Sequence, residues 1–177
     1  CGIPFAGLDV FLNVAGGIYD SVNMGGDFAG GGCTMLRMRN GQLVEHRAVI
    51  GGTIVNCCGG RSLWNSWLTC EETTQDLTAQ GGKKHGYIFD VPYNPSQTSP
   101  VPLVAMGRFS HEAVASDPVT GYIYETEDSR NVSGLYRFKP ASQSRQYGSL
   151  EAGGVLQAEK IAAEDRANLP PLAALPI

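Results

Sequence analysis

The chain has 177 residues, of which 42 % are apolar and 17 % charged, with 23 glycines and a formal net charge of −4. An acidic chain without a basic stripe excludes a nucleic-acid partner, because neutralising phosphates takes clustered Lys and Arg. It holds no apolar run long enough for a membrane span and no basic-then-apolar signal segment.

In chain order, residues 1–32 are Gly-rich and weakly patterned, with a short strand reading at Gly7–Leu12 and a turn at Asp27–Gly32. Thr34–Met38 and Leu43–Ile50 flank Asn40-Gly41, a strong short hairpin signal. They read as the two outer strands of a degenerate unit. Thr53–Cys57 is predicted to be an inner strand, 58–62 a turn, and Leu63–Thr69 the next strand. Glu72–Lys84 is polar and loop-like. Tyr87–Val91 and Pro102–Met106 complete a four-stranded unit. A second unit follows with strands from Ser110 to Ala115, Tyr122 to Thr126, Leu135 to Phe138 and Gly154 to Ile161. Its first turn, Asp117-Pro118-Val119-Thr120-Gly121, has Pro to preset φ and Gly for the left-handed position. Beyond Ile161, Ala162–Arg166 reads as a helical turn. Asn168–Ile177 carries Pro170, Pro171 and Pro176, which cannot continue a sheet interior.

The two units are copies. A shift of 56 residues lays Val55–Thr73 on its counterpart without a gap: Asn56 falls on Glu112, Cys70 on Thr126, Glu71 on Glu127 and Glu72 on Asp128. The third strands align at a shift of 48, His85-Gly86 on Ser133-Gly134. Four short strands repeating at this spacing mark β-propeller blades. The expectation is an all-β, partial β-propeller of two to three four-stranded antiparallel blades. It forms a single incomplete domain over 1–177: a blade remnant at 1–50, blades at 51–107 and 108–161, and an irregular tail at 162–177. A closed propeller usually has about 4–8 blades. The chain therefore reads as a fragment that needs missing blades or self-association to cover its open faces.

In a propeller the first strand of each blade lines the channel, so Asn56 and Glu112 are expected at equivalent channel positions. Glu71/Glu72 and Glu127/Asp128 end the second strands. Taken singly, each acid reads as a solvated carboxylate; duplicated, they read as a cage of oxygen ligands for hard cations. Cys70 adds one thiolate, a donor that transition metals prefer. His111 alternates away from Glu112 and reads as a histidine that supports ligands or packs between blades. Trp64 and Trp67 read as blade-packing aromatics. Arg61, Arg108 and Arg130 read as surface cations. Cys1, Cys33, Cys57, Cys58 and Cys70 make an odd count without zinc-ribbon spacing. In a strand, Cys57 and Cys58 would face opposite ways, as small buried apolar residues.

The segments N-C-C-G-G-R-S-L-W-N-S-W-L-T-C-E-E-T, H-G-Y-I-F-D-V-P, M-G-R-F-S-H-E-A-V-A-S-D-P-V-T-G and Y-E-T-E-D, spread over residues 27 to 161, closely resemble the PhoX-type alkaline phosphatases. That resemblance implies a secreted bacterial β-propeller phosphomonoesterase, periplasmic or extracellular, with a cluster of ferric iron (Fe3+) and calcium (Ca2+). It makes Cys70 the iron ligand and Glu72, Glu112 and Glu127 cluster carboxylates, with Glu71 and Asp128 beside them. It implies a phosphate monoester substrate, and it makes these residues a portion of the enzyme that is inactive alone. Two other readings stay open. One is a calcium-dependent propeller hydrolase of lactones or esters using Asn56 and Glu112; the other is a non-catalytic propeller fragment.

Overall fold

The computed structural model describes residues 17–22, 29–93, 100–130 and 132–159. Nine strands occur among them: β1 (Gly31–Arg39), β2 (Gln42–Thr53), β3 (Gly60–Arg61), β4 (Ser66–Cys70), β5 (Ile88–Pro92), β6 (His111–Ser116), β7 (Ile123–Glu127), β8 (Leu135–Pro140) and β9 (Gly154–Ala158). All pair antiparallel with their sequence neighbours, in sheets β1-β2, β3-β4-β5 and β6-β7-β8-β9. The protein is all-β, and the sheets follow one another as unequal blades of an open propeller. The described residues do not close them into a ring.

Stacking explains the buried pattern. Every residue of β5 is buried, which a strand with one wet face would not show. Ile88 joins Leu68, Cys70, Leu103, Met106, Val114, Ile123, Phe138 and Leu150 in a core toward the third sheet. Phe89 and Val91 pack the other way, with Tyr19, Val49 and Ile50 under the first sheet. Alternate side chains of one strand thus serve two interfaces. The second and third sheets meet at Gly59-Gly60. Gly59 N donates to Glu112 O at 2.9 Å and Val114 N to Gly59 O at 3.2 Å. A Cβ on Gly60 would lie 2.0 Å from Val114 O, so only glycine permits this approach.

The Asn40-Gly41 hairpin forms as expected, with φ of 50° and 78° at the two turn residues. The third sheet also has its four expected strands. Gly121 N closes the Asp117 turn onto Asp117 O at 2.9 Å.

The middle sheet departs from expectation. Thr53 ends β2, Val55 takes φ 48°, and Asn56 pairs with Glu71 through one isolated bridge, so Thr53–Cys57 is not a regular strand. The tight turn lies at 62–66 instead of 58–62. Ser62 Oγ accepts from Trp64 N at 3.2 Å and from Ser66 N at 3.0 Å, and Asn65 sits at φ 61°. This is the turn chemistry that a Ser hydroxyl offers to nearby amides. Pro102–Met106 is not a strand either. Pro102 makes one bridge to Phe89, and Val104–Met106 then curl into a 3-10 turn that buries Met106; proline cannot donate to a ladder. The readings at Gly7–Leu12, Ala162–Arg166 and Asn168–Ile177 lie outside the described residues, as do the last residues of the strand expected to reach Ile161. Within the described residues no helix is long and apolar enough to cross a membrane.

Candidate metal centre at the repeated acidic pair

The copies match in three dimensions. Gly86 N donates to Glu71 Oε2 at 2.8 Å, and Gly134 N donates to Glu127 Oε2 at 3.1 Å. The first acid of each pair therefore clamps the glycine that opens the third strand of its own blade. Glu72 N and Asp128 N also play matching parts, bonding Val55 O and Ser110 O, each at 3.0 Å.

Glu71 is fully buried and fully engaged. Its Oε1 accepts from Ile54 N at 2.9 Å and meets His85 Nδ1 at 2.7 Å; its Oε2 also accepts from Tyr87 N at 3.1 Å. His85 Nε2 in turn meets Asp20 Oδ2 at 3.1 Å. Asp20 accepts from Val22 N at 2.9 Å and Lys83 N at 2.7 Å. Burial pushes the Asp20 carboxyl up, but those two amides and His85 outweigh it and hold it below the usual range. Burial likewise works against the His85 cation, yet the two carboxylates win and raise its pKa. The result is a buried acid–histidine–acid chain tying the segment before β1, the loop before β5 and the end of β4. Arg108 braces the same loop through Nε to His85 O at 2.8 Å and through its terminal nitrogen to Thr74 O and Gln75 O.

Glu127 is half-buried; its Oε2 also accepts from Tyr136 Oη at 2.8 Å. Glu72 is half-buried and Asp128 exposed. Glu112 is half-buried in a bulge of β6, where the register slips between His111 and Ala113. Bulges redirect a side chain out of strict alternation. Asn56 is buried with its amide spent: Thr53 Oγ1 donates to its Oδ1 at 2.6 Å, and its Nδ2 donates to Thr69 Oγ1 at 2.9 Å. It presents no group to an open channel.

Cys70 is fully buried in the core between the second and third sheets. Burial, reinforced by Glu125, holds its thiol strongly protonated. Glu125 and His111 form a second buried pair, one that no motif in the sequence marks as a unit. His111 Nδ1 and Glu125 Oε2 are 3.4 Å apart without hydrogen-bond geometry. Burial pushes Glu125 up to about 9 and His111 down to about 4, so both are neutral near pH 7. His111 stacks on Phe109 with centroids 3.6 Å apart, which fits a packing role.

Among the described residues, no three of His, Cys, Asp and Glu converge closely enough to hold an ion. The donors suit hard cations and one softer metal in kind, but Glu71 has no spare oxygen and the Cys70 thiol faces an apolar core. Sequence reasoning misses Asp20 and His85 altogether. A visible hint is that the longer loop of the first copy ends in His85, where the second copy has Ser133.

The family model described as alkaline phosphatase PhoX matches residues 20–172. No curated protein matches the chain. Among solved structures, that of Pseudomonas fluorescens PhoX in complex with vanadate, a transition state analogue, is similar at 20 % identity with a TM-score of 0.46. The match covers 63 % of this chain and 27 % of that one, so the chain spans little more than a quarter of that relative's length. With a match running from the Asp20 clamp past the end of β9, the chain belongs to the PhoX alkaline phosphatase family.

Proposed function

We propose that this chain is a portion of a metal-dependent phosphomonoesterase and that it supplies part of the site where a phosphate ester is hydrolysed. The observation that carries the reading is the family match over residues 20–172. The duplicated acidic pair supports it. In each copy the first acid holds the strand connection, and the second, Glu72 or Asp128, accepts no bond from within the chain among the described residues. Glu72, Glu112 and Asp128 are then the carboxylates available to cations, with Glu127 offering its remaining oxygen.

Ferric iron and calcium belong to this proposal, as does export to the periplasm or the medium. Bound cations supply positive charge, which an acidic chain needs in order to receive a phosphate dianion. The described residues do not close around an ion, and the part of this chain is to hold and orient ligands. Glu71, His85 and Asp20 fix the backbone from which Glu72 projects. The Gly59–Glu112 bond fixes the bulge that carries Glu112. The remaining ligands come from the rest of the enzyme. Cys70 serves as the thiolate ligand only if iron displaces its proton.

The test uses the complete parent enzyme loaded with ferric iron and calcium, with p-nitrophenyl phosphate as substrate. Cys70→Ala should lose visible iron–thiolate absorbance and turnover together. Full turnover without iron in that variant would refute the metal assignment. Failure of the loaded wild type to release phosphate would refute the phosphatase reading itself.

A further inference from the structure

The sequence holds one Asn-Gly step, Asn40-Gly41, and the fold places it at the tip of the β1–β2 hairpin. Both residues are exposed, with Arg39 paired to Gln42 behind them. An asparagine followed by glycine carries an electrophile and a nucleophile side by side. The electrophile is the side-chain carbonyl carbon; the nucleophile is the backbone nitrogen of the next residue. Glycine leaves that nitrogen uncovered, because it has no Cβ. A Cβ at Gly41 would meet nothing within 4 Å, so no neighbouring group screens the approach either.

Three asparagines lie among the described residues, and hydrogen bonding sets Asn40 apart. Asn56 is buried with both side-chain polar atoms bonded, and the next amide, Cys57 N, donates to Cys70 O at 2.9 Å. Asn65 shares the left-handed backbone of Asn40, at φ 61° against 50°. Yet Arg61 holds its Oδ1, and the next amide, Ser66 N, donates to Ser62 Oγ at 3.0 Å. At both positions the nucleophile is spent and the side chain is held. Among the described residues, neither the Asn40 side chain nor Gly41 N makes a hydrogen bond. Attack also requires ψ of Asn40 to rotate, which the exposed end of a two-stranded sheet permits.

We propose that Asn40-Gly41 is a site of spontaneous chain modification, with water as the co-reactant. Gly41 N loses its proton to solvent base and attacks Asn40 Cγ. The new C–N bond closes a five-membered imide, and the side-chain nitrogen leaves as ammonia with a proton from water. Water then opens the imide at either carbonyl, giving aspartate or isoaspartate, and no atom changes oxidation state. Each event adds one negative charge to a chain of net charge −4. The aspartate product keeps the turn, since Asp-Gly also suits two left-handed residues. The isoaspartate product routes the backbone through an extra carbon, so Arg39 no longer meets Gln42 and the hairpin opens from its tip. β2 runs 12 residues from Gln42 beside the tip to Thr53, roughly 36 Å of strand, so the acidic pairs stay in place.

The test is incubation of the folded protein at pH 7 and pH 9, with tryptic peptides followed by mass and by isoaspartate content. The peptide from Asn40 to Arg47 should convert, and faster at pH 9, since attack needs the deprotonated nitrogen. Asn56 and Asn65 should convert at least about tenfold more slowly, because hydrogen bonds must open first. In guanidinium chloride, Asn65 should speed up about tenfold while Asn40 changes little. Asn40→Gln should show no conversion over the same interval, with circular dichroism reporting its fold. An Asn40 peptide that keeps its amide in the folded protein overturns the proposal. So does folded Asn65 converting as fast as Asn40, or an Asn40 rate that unfolding raises as much as it raises that of Asn65. None of these outcomes depends on phosphate-ester turnover.

Discussion

Glu71 Oε1 and His85 Nδ1 meet at 2.7 Å in a site from which both residues exclude solvent completely. The bond joins the end of β4 to the start of β5. It uses up the acid that, by sequence position alone, looks like a metal ligand.

Removing that acid should therefore act on folding first. Glu71→Ala leaves the Ile54, Gly86 and Tyr87 amides without acceptors and the His85 ring with one partner fewer. Breaking a buried pair of this kind costs about 3–5 kcal/mol. Glu72→Gln, one residue on, should change stability by no more than about 0.5 kcal/mol. Urea denaturation of the two variants checks the contrast. Equal losses would mean that Glu71 is not the structural member of the pair.

The clamp also predicts a pH window. His85 is raised above its ordinary value of 6.5, so its contribution is complete below that value and is lost as pH rises through the raised one. Asp20 is lowered from 3.8, so its contribution is present above 3.8 and is lost as pH falls through the depressed value. Stability from the clamp should peak between these limits. His85→Gln should flatten the alkaline side, measured as denaturation midpoint against pH. An unchanged alkaline limb in that variant would rule out His85 as its source.

Glu125 works in the opposite sense. Burial raises it from 4.5 to about 9, so the folded state holds a proton that the unfolded chain releases between those values. Stability must fall with pH across that range. Glu125→Gln keeps the shape without the ionisation. It should equal wild type near pH 4 and exceed it increasingly toward pH 9. A constant difference across the range would show that Glu125 does not titrate in the fold.

Gly60→Ala tests the seam between blades. Its Cβ would meet Val114 O at 2.0 Å, against backbone that cannot swing away. A loss of about 3 kcal/mol or more is expected, at the upper end of overpacking costs. A melting temperature equal to wild type would mean that the two sheets do not meet at this glycine.

What the sequence disclosed was what local chemistry controls. Asn40-Gly41 sets its turn by left-handed backbone preference, and the four strands of the third sheet show in apolar runs between turn residues. The doubled acidic pair was plain from a single shift. The middle blade was harder. Its fourth strand gives way because Pro102 has no amide to donate, and its turn moves because Ser62 captures the amides of Trp64 and Ser66. Trp67, expected to pack between blades, is 46 % exposed and lines a groove with Met35, Val91 and Tyr93. The Asp20–His85–Glu71 chain was illegible for another reason. Its members are brought together over long sequence separations with no period to announce them, and only the fold reveals that Glu71 is spent.

The most direct measurement is the rate of p-nitrophenyl phosphate hydrolysis by the complete, iron- and calcium-loaded enzyme and by its Glu72→Gln/Asp128→Asn double variant. Wild type should be active, and the variant should melt at the same temperature but lose about 100-fold or more in turnover. Wild-type turnover in a variant lacking both carboxylates would contradict the assignment of these acids to the metal centre.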